Sequence, residues 1–235
     1  MSITRGIGVV CACVVAVALS LAVRSLQQQN DQVIEELTRI RQLLESLPGA
    51  DRATLADVSG ESLGRADAPL TMVEFTDLQC PYCREFHATA FEQIKRDYID
   101  TGKLRYVARD FPLDTIHPLA IRASRANQCA GAQGKFWEMR HAILSSNRKL
   151  APDSFDALAR DLHLDAAAFA ACTADTARLD ARWQHDRAEG KRLGVSGTPF
   201  FVVGRTSPDG LVGVRLSGAK DYSAFDAKFK ELLGS

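Results

Sequence analysis

The sequence carries no excess charge of either sign: across 235 residues, 29 lysines and arginines face 29 aspartates and glutamates. The basic surplus of a nucleic-acid-binding protein is therefore missing, and no nucleic-acid partner is expected. Nor do two opposite patches cancel, since residues 1–50 alone hold four basic and four acidic side chains. There is no internal repeat and no low-complexity segment. With 46% hydrophobic and 25% charged residues the chain is neither disordered nor collagen-like. Six cysteines are too few to staple a miniprotein. One C-x-x-C is present, Cys80–Cys83, but no second C-x-x-C or H-x-x-H pair accompanies it, which argues against zinc. Arg84 stands where haem attachment requires histidine. Neither a metal nor another cofactor is expected.

What is present begins at the N-terminus. Ile7 to Val23 is an unbroken uncharged run bounded by Arg5 and Arg24. As a helix it rises about 26 Å, just under a hydrocarbon core, and Gly6 and snorkelling arginines extend its reach. The reading is a retained membrane anchor over residues 1–24, with residues 6–23 as the tether. The competing reading is a cleaved signal with Ala16-Val17-Ala18 as its small-x-small site. Either one exports the remainder. Cys11 and Cys13 read as small apolar residues of this run. Residues 25–50 then read as a helical stalk. Val33, Leu37, Ile40, Leu44 and Leu47 repeat at intervals of 4, 3, 4 and 3, a heptad seam that Leu26 extends, with Asn30 at an a position. Glu36 and Arg41 fall at g and the following e, while Ile34 and Leu43 widen the stripe. Self-association through residues 26–47 is expected; the alternative is a spacer helix, because three heptads are marginal alone. Pro48-Gly49 should end the helix.

Residues 51–235 read as one α/β domain. Leu70–Thr76 is a strand, a helix runs from Pro81 to about Asp100, and Lys103–Phe111 is a second strand, parallel to the first across the helix. An alanine-rich helical block covers about residues 115–195. Strands follow at Phe200–Val203 and Leu211–Ser217, with a turn at Ser207–Gly210 between them, and then a last helix from Tyr222 to Leu233.

The chemistry sits where the first strand passes into its helix. In Cys80-Pro81-Tyr82-Cys83, Pro81 suits the first helical turn and leaves Cys80 at the helix N-terminus. Unpaired N–H groups and the helix dipole stabilise a thiolate there, and the thiolate is the species that attacks a disulfide. Cys83, one turn on, is placed to resolve the mixed disulfide. A four-residue loop constrains little unfolded chain, so the pair is better suited to exchange than to stability. His87 reads as a solvated helix residue.

Together FTDLQCPYCREFH, RDFPL, the stretch with GKFWEM and GTPFFVVG resemble the DsbA-like thioredoxin-fold family over roughly residues 55–235. The resemblance implies a thioredoxin fold with an inserted helical domain, and thiol–disulfide exchange on exported, cysteine-containing proteins. It implies that Thr198-Pro199 is the family's cis-proline position, opposite the C-x-x-C and contacting substrate. It implies that Glu74, six residues before Cys80, is a buried acid whose raised pKa lets it shuttle the resolving cysteine's proton; the alternative is an edge-strand glutamate in water. Some relatives carry a second, structural disulfide in the insertion, where Cys129 and Cys172 lie; two buried free thiols are the alternative.

Two residues depart from the family's oxidases. Tyr82 stands where the archetypal oxidase has histidine, and Thr198 precedes the proline as in exported isomerases and copper-sensitivity suppressor proteins, whereas the oxidase has valine. The expectation is therefore an extracytoplasmic, periplasmic and tethered oxidoreductase served by a membrane redox partner, with oxidase and isomerase both open. A redox-inert binding or chaperone module on the same fold is the alternative from another class.

Overall fold

The computed structural model describes the backbone of residues 3–46, 51–146, 150–207 and 210–234, and within these the side chains of all but residues 3–18, 41–46 and 206–207. Two compact units result, Met1–Asp51 and Arg52–Ser235.

The first unit is one helix, α1 (Ile3–Ser46). It passes through Arg24 without a break, so the anchor and the stalk of the sequence reading are a single element. Along its described side chains, Leu26, Val33, Ile34, Leu37 and Ile40 are all exposed. The side chains of Arg41, Leu43 and Leu44 are not described, and Leu47 and the Pro48-Gly49 stop lie outside the described residues. Among the described residues no helix is long and apolar enough to cross a membrane. Of the Ile7–Val23 run, the side chains up to residue 18 are not described.

The second unit is built on a six-stranded sheet. Its strands are β1 (Arg52–Leu55), β2 (Ser62–Leu63), β3 (Leu70–Thr76), β4 (Leu104–Asp110), β5 (Phe200–Ser207) and β6 (Gly210–Ser217). They lie in the order β1-β6-β5-β3-β4-β2. Only β3 and β4 are parallel; every other pairing is antiparallel. The parallel pair and the terminal hairpin follow the sequence reading. The two edge strands β1 and β2 do not: at four and two residues they are too short to show a period. β5 also continues past Val203, because its whole length pairs with β6.

β3 is central, and all seven of its residues are buried. Alternation along the strand sends Leu70 and Met72 to one face, against Phe86, Ile94, Phe225 and Phe229. Val73 and Phe75 go to the other, against Val107, Phe111, Leu193 and Val202. The first face is covered by α2 (Pro81–Phe86) and by α9 (Tyr222–Leu233). From α2 the chain stays helical through a π turn (His87–Phe91), the short α3 (Glu92–Ile94) and a second π turn (Lys95–Ile99).

Among the described residues between β4 and β5 stand five helices: α4 (Ala120–Gly131), α5 (Phe136–Ser145), α6 (Ser154–Asp161), α7 (Ala166–Ala174) and α8 (Thr176–Arg192). Their core joins Ala123, Met139, Ile143, Phe155 and Leu179 to Cys80 and Cys83, so the insertion packs directly on the C-x-x-C. α8 also reaches the sheet. A Cβ at Gly190 would stand 2.7 Å from the Phe111 ring and 3.1 Å from Phe75, so only glycine allows this approach.

The structure joins Cys129 of α4 to Cys172 of α7, 43 residues apart, with Cys129 fully buried. A loop of that length constrains the unfolded chain by about 3–4 kcal/mol in the entropic account. Replacing both cysteines with alanine should therefore lower stability by about 2–4 kcal/mol in denaturant titrations under oxidising conditions. The same exchange made under strong reductant should have much less effect. Equal stability of the two proteins under oxidising conditions would refute a structural role for the bond.

Candidate active site

The site is assembled at the turn between β3 and α2. Asp77, whose side chain is fully buried, organises that turn. Its Oδ1 accepts the Gln79 N–H at 2.7 Å and its carbonyl accepts the Cys80 N–H at 3.0 Å. Its Oδ2 accepts the Leu113 N–H at 2.8 Å and lies 2.8 Å from His117 Nδ1. Gln79 Oε1 in turn accepts the N–H of Leu119, next to α4. The turn is thereby tied to the segment that enters the helical insertion.

Cys80 is the N-cap of α2, in extended conformation and with no side-chain capping bond, and Pro81 follows at the first helical position. Both cysteines are free thiols. Cys80 is only 3% exposed, less than its place at a helix start suggests, whereas the adjacent Tyr82 stands out at 61%. Across from it the Thr198–Pro199 peptide bond is cis, and the Cys80 Sγ donates to the Thr198 carbonyl at 3.4 Å. The proline thus turns the backbone of Thr198 onto the sulfur, while the Pro199 carbonyl accepts the Gly218 N–H at 2.9 Å and fixes the turn to the end of β6.

The two thiols are driven apart. A hydrogen bond from Cys83, together with Thr198 and the Cys83 and Tyr82 N–H groups, outweighs burial and brings the Cys80 thiol down to about 6. Burial, the bond to Cys80 and the charge of Glu74 push the Cys83 thiol well above its ordinary value. Near neutral pH one sulfur is a thiolate and the other a thiol.

Glu74 is fully buried on β3, not at an edge. Its Oε2 lies 2.9 Å from Arg140 Nη2 and 3.2 Å from His87 Nε2, and it accepts the Tyr106 hydroxyl. Oε1 has no hydrogen-bond partner among the described residues. Burial raises this carboxyl's pKa, but the His87 and Arg140 charges and hydrogen bonds outweigh it and hold it at about 2. This corrects the expected raised value: Glu74 ionises more readily than a free glutamate. The causes are His87 first and then Arg140, which the sequence reading did not single out. His87 is corrected too. It is not solvated; its side chain is 10% exposed, and burial pushes its pKa down against the pull of Glu74. Its i,i+4 spacing from Cys83 was the one sequence signal that could have placed it on the buried face. Nothing local pointed to Arg140 or Tyr106, 66 and 32 residues from Glu74. Among the described residues no cluster of His, Cys, Asp and Glu could hold a metal ion.

Alkylation of the reduced protein should modify Cys80 first, along a pH curve centred near 6, with Cys83 inert until strongly alkaline pH. Mass mapping of the labelled peptides reads this; equal labelling, or a midpoint near that of a free thiol, would contradict the assignment. The sign also extends to stability. A thiol whose folded pKa is depressed stabilises the fold above its unfolded value and loses that contribution as pH falls through the folded one. Below about pH 8 Cys83 is protonated in both states. The reduced protein should therefore gain stability as pH rises from about 6 to about 8, and the part of that gain due to Cys80 should be missing from Cys80→Ala, which keeps the smaller gain due to the depressed His87.

A family model described as thioredoxin matches residues 57–213. Among solved structures, alpha-DsbA1 of Wolbachia pipientis is 26% identical, with a TM-score of 0.68 over 77% of this chain and 94% of that one. A thioredoxin-like oxidoreductase from Silicibacter pomeroyi is 26% identical, with a TM-score of 0.62 over 76% and 95%. DsbA2 of Pseudomonas aeruginosa is 25% identical, with a TM-score of 0.59 over 80% and 96%. Among curated proteins, the Na(+)/H(+) antiporter NhaA 3 of Salinispora tropica is 35% identical over 162 residues, which is 69% of this chain but 24% of that protein. The chain thus spans about a quarter of that relative's length. Since the family match runs through most of the unit that carries Cys80, and the structural likeness takes in nearly the whole of each solved relative, the chain belongs to the thioredoxin family, among its DsbA-like members.

Proposed function

We propose that the chain is a thiol–disulfide oxidoreductase that acts on cysteine-containing proteins outside the cytoplasm through Cys80 and Cys83. One observation carries this reading: two thiols on a single helical turn with opposite pKa displacements, the lower facing a cis-proline backbone. In the reducing direction the Cys80 thiolate attacks a substrate sulfur and the substrate S–S bond breaks. The departing substrate thiolate takes up a proton. Cys83 then loses its proton and attacks Cys80 Sγ, closing the Cys80–Cys83 disulfide and releasing the second substrate thiolate. The oxidising direction runs the same steps backwards and leaves the dithiol to be reoxidised by a membrane redox partner. Thr198 and Pro199 offer backbone to an extended substrate, as the carbonyl already facing Cys80 does. Glu74, ionised and paired, serves as a fixed charge beside the pair rather than as a carrier of protons.

A redox-inert binding module has no use for this division between the two sulfurs. The extracytoplasmic setting is supported by a second disulfide far along the chain from the redox pair, and tethering by the uncharged run within residues 6–23. A second reading, an oligomeric isomerase, is favoured by the exposed apolar stripe on α1. A second copy of the chain on that stripe would bring two redox sites together and raise their local concentration.

In an insulin-reduction assay Cys80→Ala should be inactive. Cys83→Ala should accumulate mixed disulfides with substrate, visible on non-reducing gels and lost on adding reductant. A Cys83→Ala protein that traps nothing would remove the exchange reading. For the stripe, Leu37→Asp with Ile40→Asp in the full chain should convert an oligomer to monomers in sedimentation and lower the refolding of scrambled ribonuclease, leaving insulin reduction intact. A wild-type chain already monomeric would dispose of the isomerase reading and leave a tethered monomeric oxidoreductase.

A further inference from the structure

Helix α5 has two faces in use. On one, Met139 and Ile143 pack in the cluster that holds Cys80 and Cys83. On the other, Trp137 and Ala142 line a groove of about 480 Å³ to which Cys80, Cys83, Thr198 and Pro199 contribute nothing. The rest of its apolar lining is Phe91 at the end of the first π turn, Leu63 of β2 and Leu162 just past α6. A volume and a lining of this kind suit a ligand. The aromatic walls are fixed from behind. The Phe91 ring lies 4.5 Å from that of His87 and 5.0 Å from that of Tyr106, and the Trp137 ring lies 5.7 Å from Tyr106 and 5.1 Å from Phe136. The groove is therefore formed before anything enters it.

Two features indicate what it accepts. The first is charge. Among the polar lining residues, Lys95 is held by Asp100 at 2.9 and 2.8 Å and Glu138 by Lys135 at 2.9 Å, while His141 meets Ser145 Oγ at 3.3 Å. Glu92 is exposed and makes no hydrogen bond or ion pair among the described residues. The groove therefore carries one unanswered negative charge beside apolar walls. The second is Trp137. Its ring is half-buried, yet its indole N–H has no acceptor among the described residues, although an indole in such a place ordinarily finds one. It is a free donor for a carbonyl. A polypeptide brings a backbone carbonyl with every side chain.

We propose that this groove is a second, non-redox binding site for unfolded polypeptide: it takes a bulky apolar side chain against Trp137 and Phe91, with a neighbouring lysine or arginine at Glu92. Folded proteins keep most such apolar side chains inside, so the site selects chains that have not yet folded. The proposal deepens the exchange reading and rests on it for the role of the bound chain, which is a cysteine-containing substrate whose sulfurs exchange on the other face of α5. A hold that does not involve sulfur outlasts each mixed disulfide and keeps the remaining substrate cysteines at high local concentration.

The probe is a fluorophore-labelled, cysteine-free peptide, Lys-Leu-Phe-Leu-Lys, added to the full chain and followed by anisotropy. Saturable binding is expected, with a blue shift of Trp137 emission in a Trp183→Phe background. Glu92→Lys should weaken binding about fivefold. The peptide Glu-Leu-Phe-Leu-Glu should show the reverse preference between the two proteins, a swap that damage to the fold does not produce. Ala142→Gln, which fills the groove, should weaken both peptides by about tenfold or more. Absence of saturable binding, equal binding of the two peptides to wild type, or variants that bind as wild type does would overturn the proposal. So would a monomeric alkyltrimethylammonium ion that binds as tightly as the peptide, since it brings the apolar chain and the cation but no carbonyl. If Ala142→Gln does not fold, the exposed Glu92 and the two peptides decide alone. Peptide binding as described in a chain that exchanges no disulfide with glutathione would fault the exchange reading and leave the groove standing; normal exchange without peptide binding would fault the groove alone.

Discussion

The Asp77 carboxylate holds together the part of the structure on which the rest depends. A strand that enters a helix must turn without leaving its backbone groups unpaired. Here a single buried side chain receives the N–H groups of Gln79 and Leu113 and meets His117. Those contacts belong to the β3–α2 turn on one side and to the connection leaving β4 on the other. The start of α2, and with it Cys80, is therefore positioned by a residue that takes no part in exchange. Pro81 then completes the turn at the cost of an N–H that would have been unpaired in any case.

Around this turn two kinds of burial are balanced. The apolar kind is ordinary: both faces of β3 are covered, with Phe225 and Phe229 of α9 on one and Phe111 and Leu193 on the other. Each such side chain contributes on the order of 1.5–3 kcal/mol. The polar kind is concentrated at the C-terminal end of the same strand. There Glu74, Arg140, Tyr106 and His87 share one knot of hydrogen bonds directly behind the cysteine-bearing helix. Placing an ion pair in this position costs desolvation that an apolar pair would avoid. The knot lies where its charge reaches Cys83.

The sequence disclosed whatever is local. The C-x-x-C, its helix start, the β-helix-β unit and the terminal hairpin all show within windows of a few residues, where spacing and turn chemistry speak directly; the cis-proline was implied by the family resemblance. Edge strands β1 and β2 escaped because their pairing to β6 and β4 replaces intrinsic pattern. Glu74 was legible as an acid near the site, but its ionisation was not. That depends on His87 and on Arg140, the second of which becomes its neighbour only once the insertion folds back over the strand. His87 failed for a related reason: the helix surface that looked free is the one against β3.

Gly190 shows how far a missing methyl group reaches. Its carbonyl accepts the N–H of Val195 at 2.9 Å and of Leu193 at 3.1 Å, so the residue that lets α8 touch the Phe111 and Phe75 rings also fastens the turn that ends the helix. From Val195 the chain has three residues to go before Thr198 meets the Cys80 sulfur. Even the small displacement needed to seat an alanine at Gly190 would lift the last turn of α8 from the sheet. That shift would lie three residues from the peptide opposite the thiolate. The aim of the cis-proline backbone is in this sense calibrated from the far side of the sheet, by an atom that is not there.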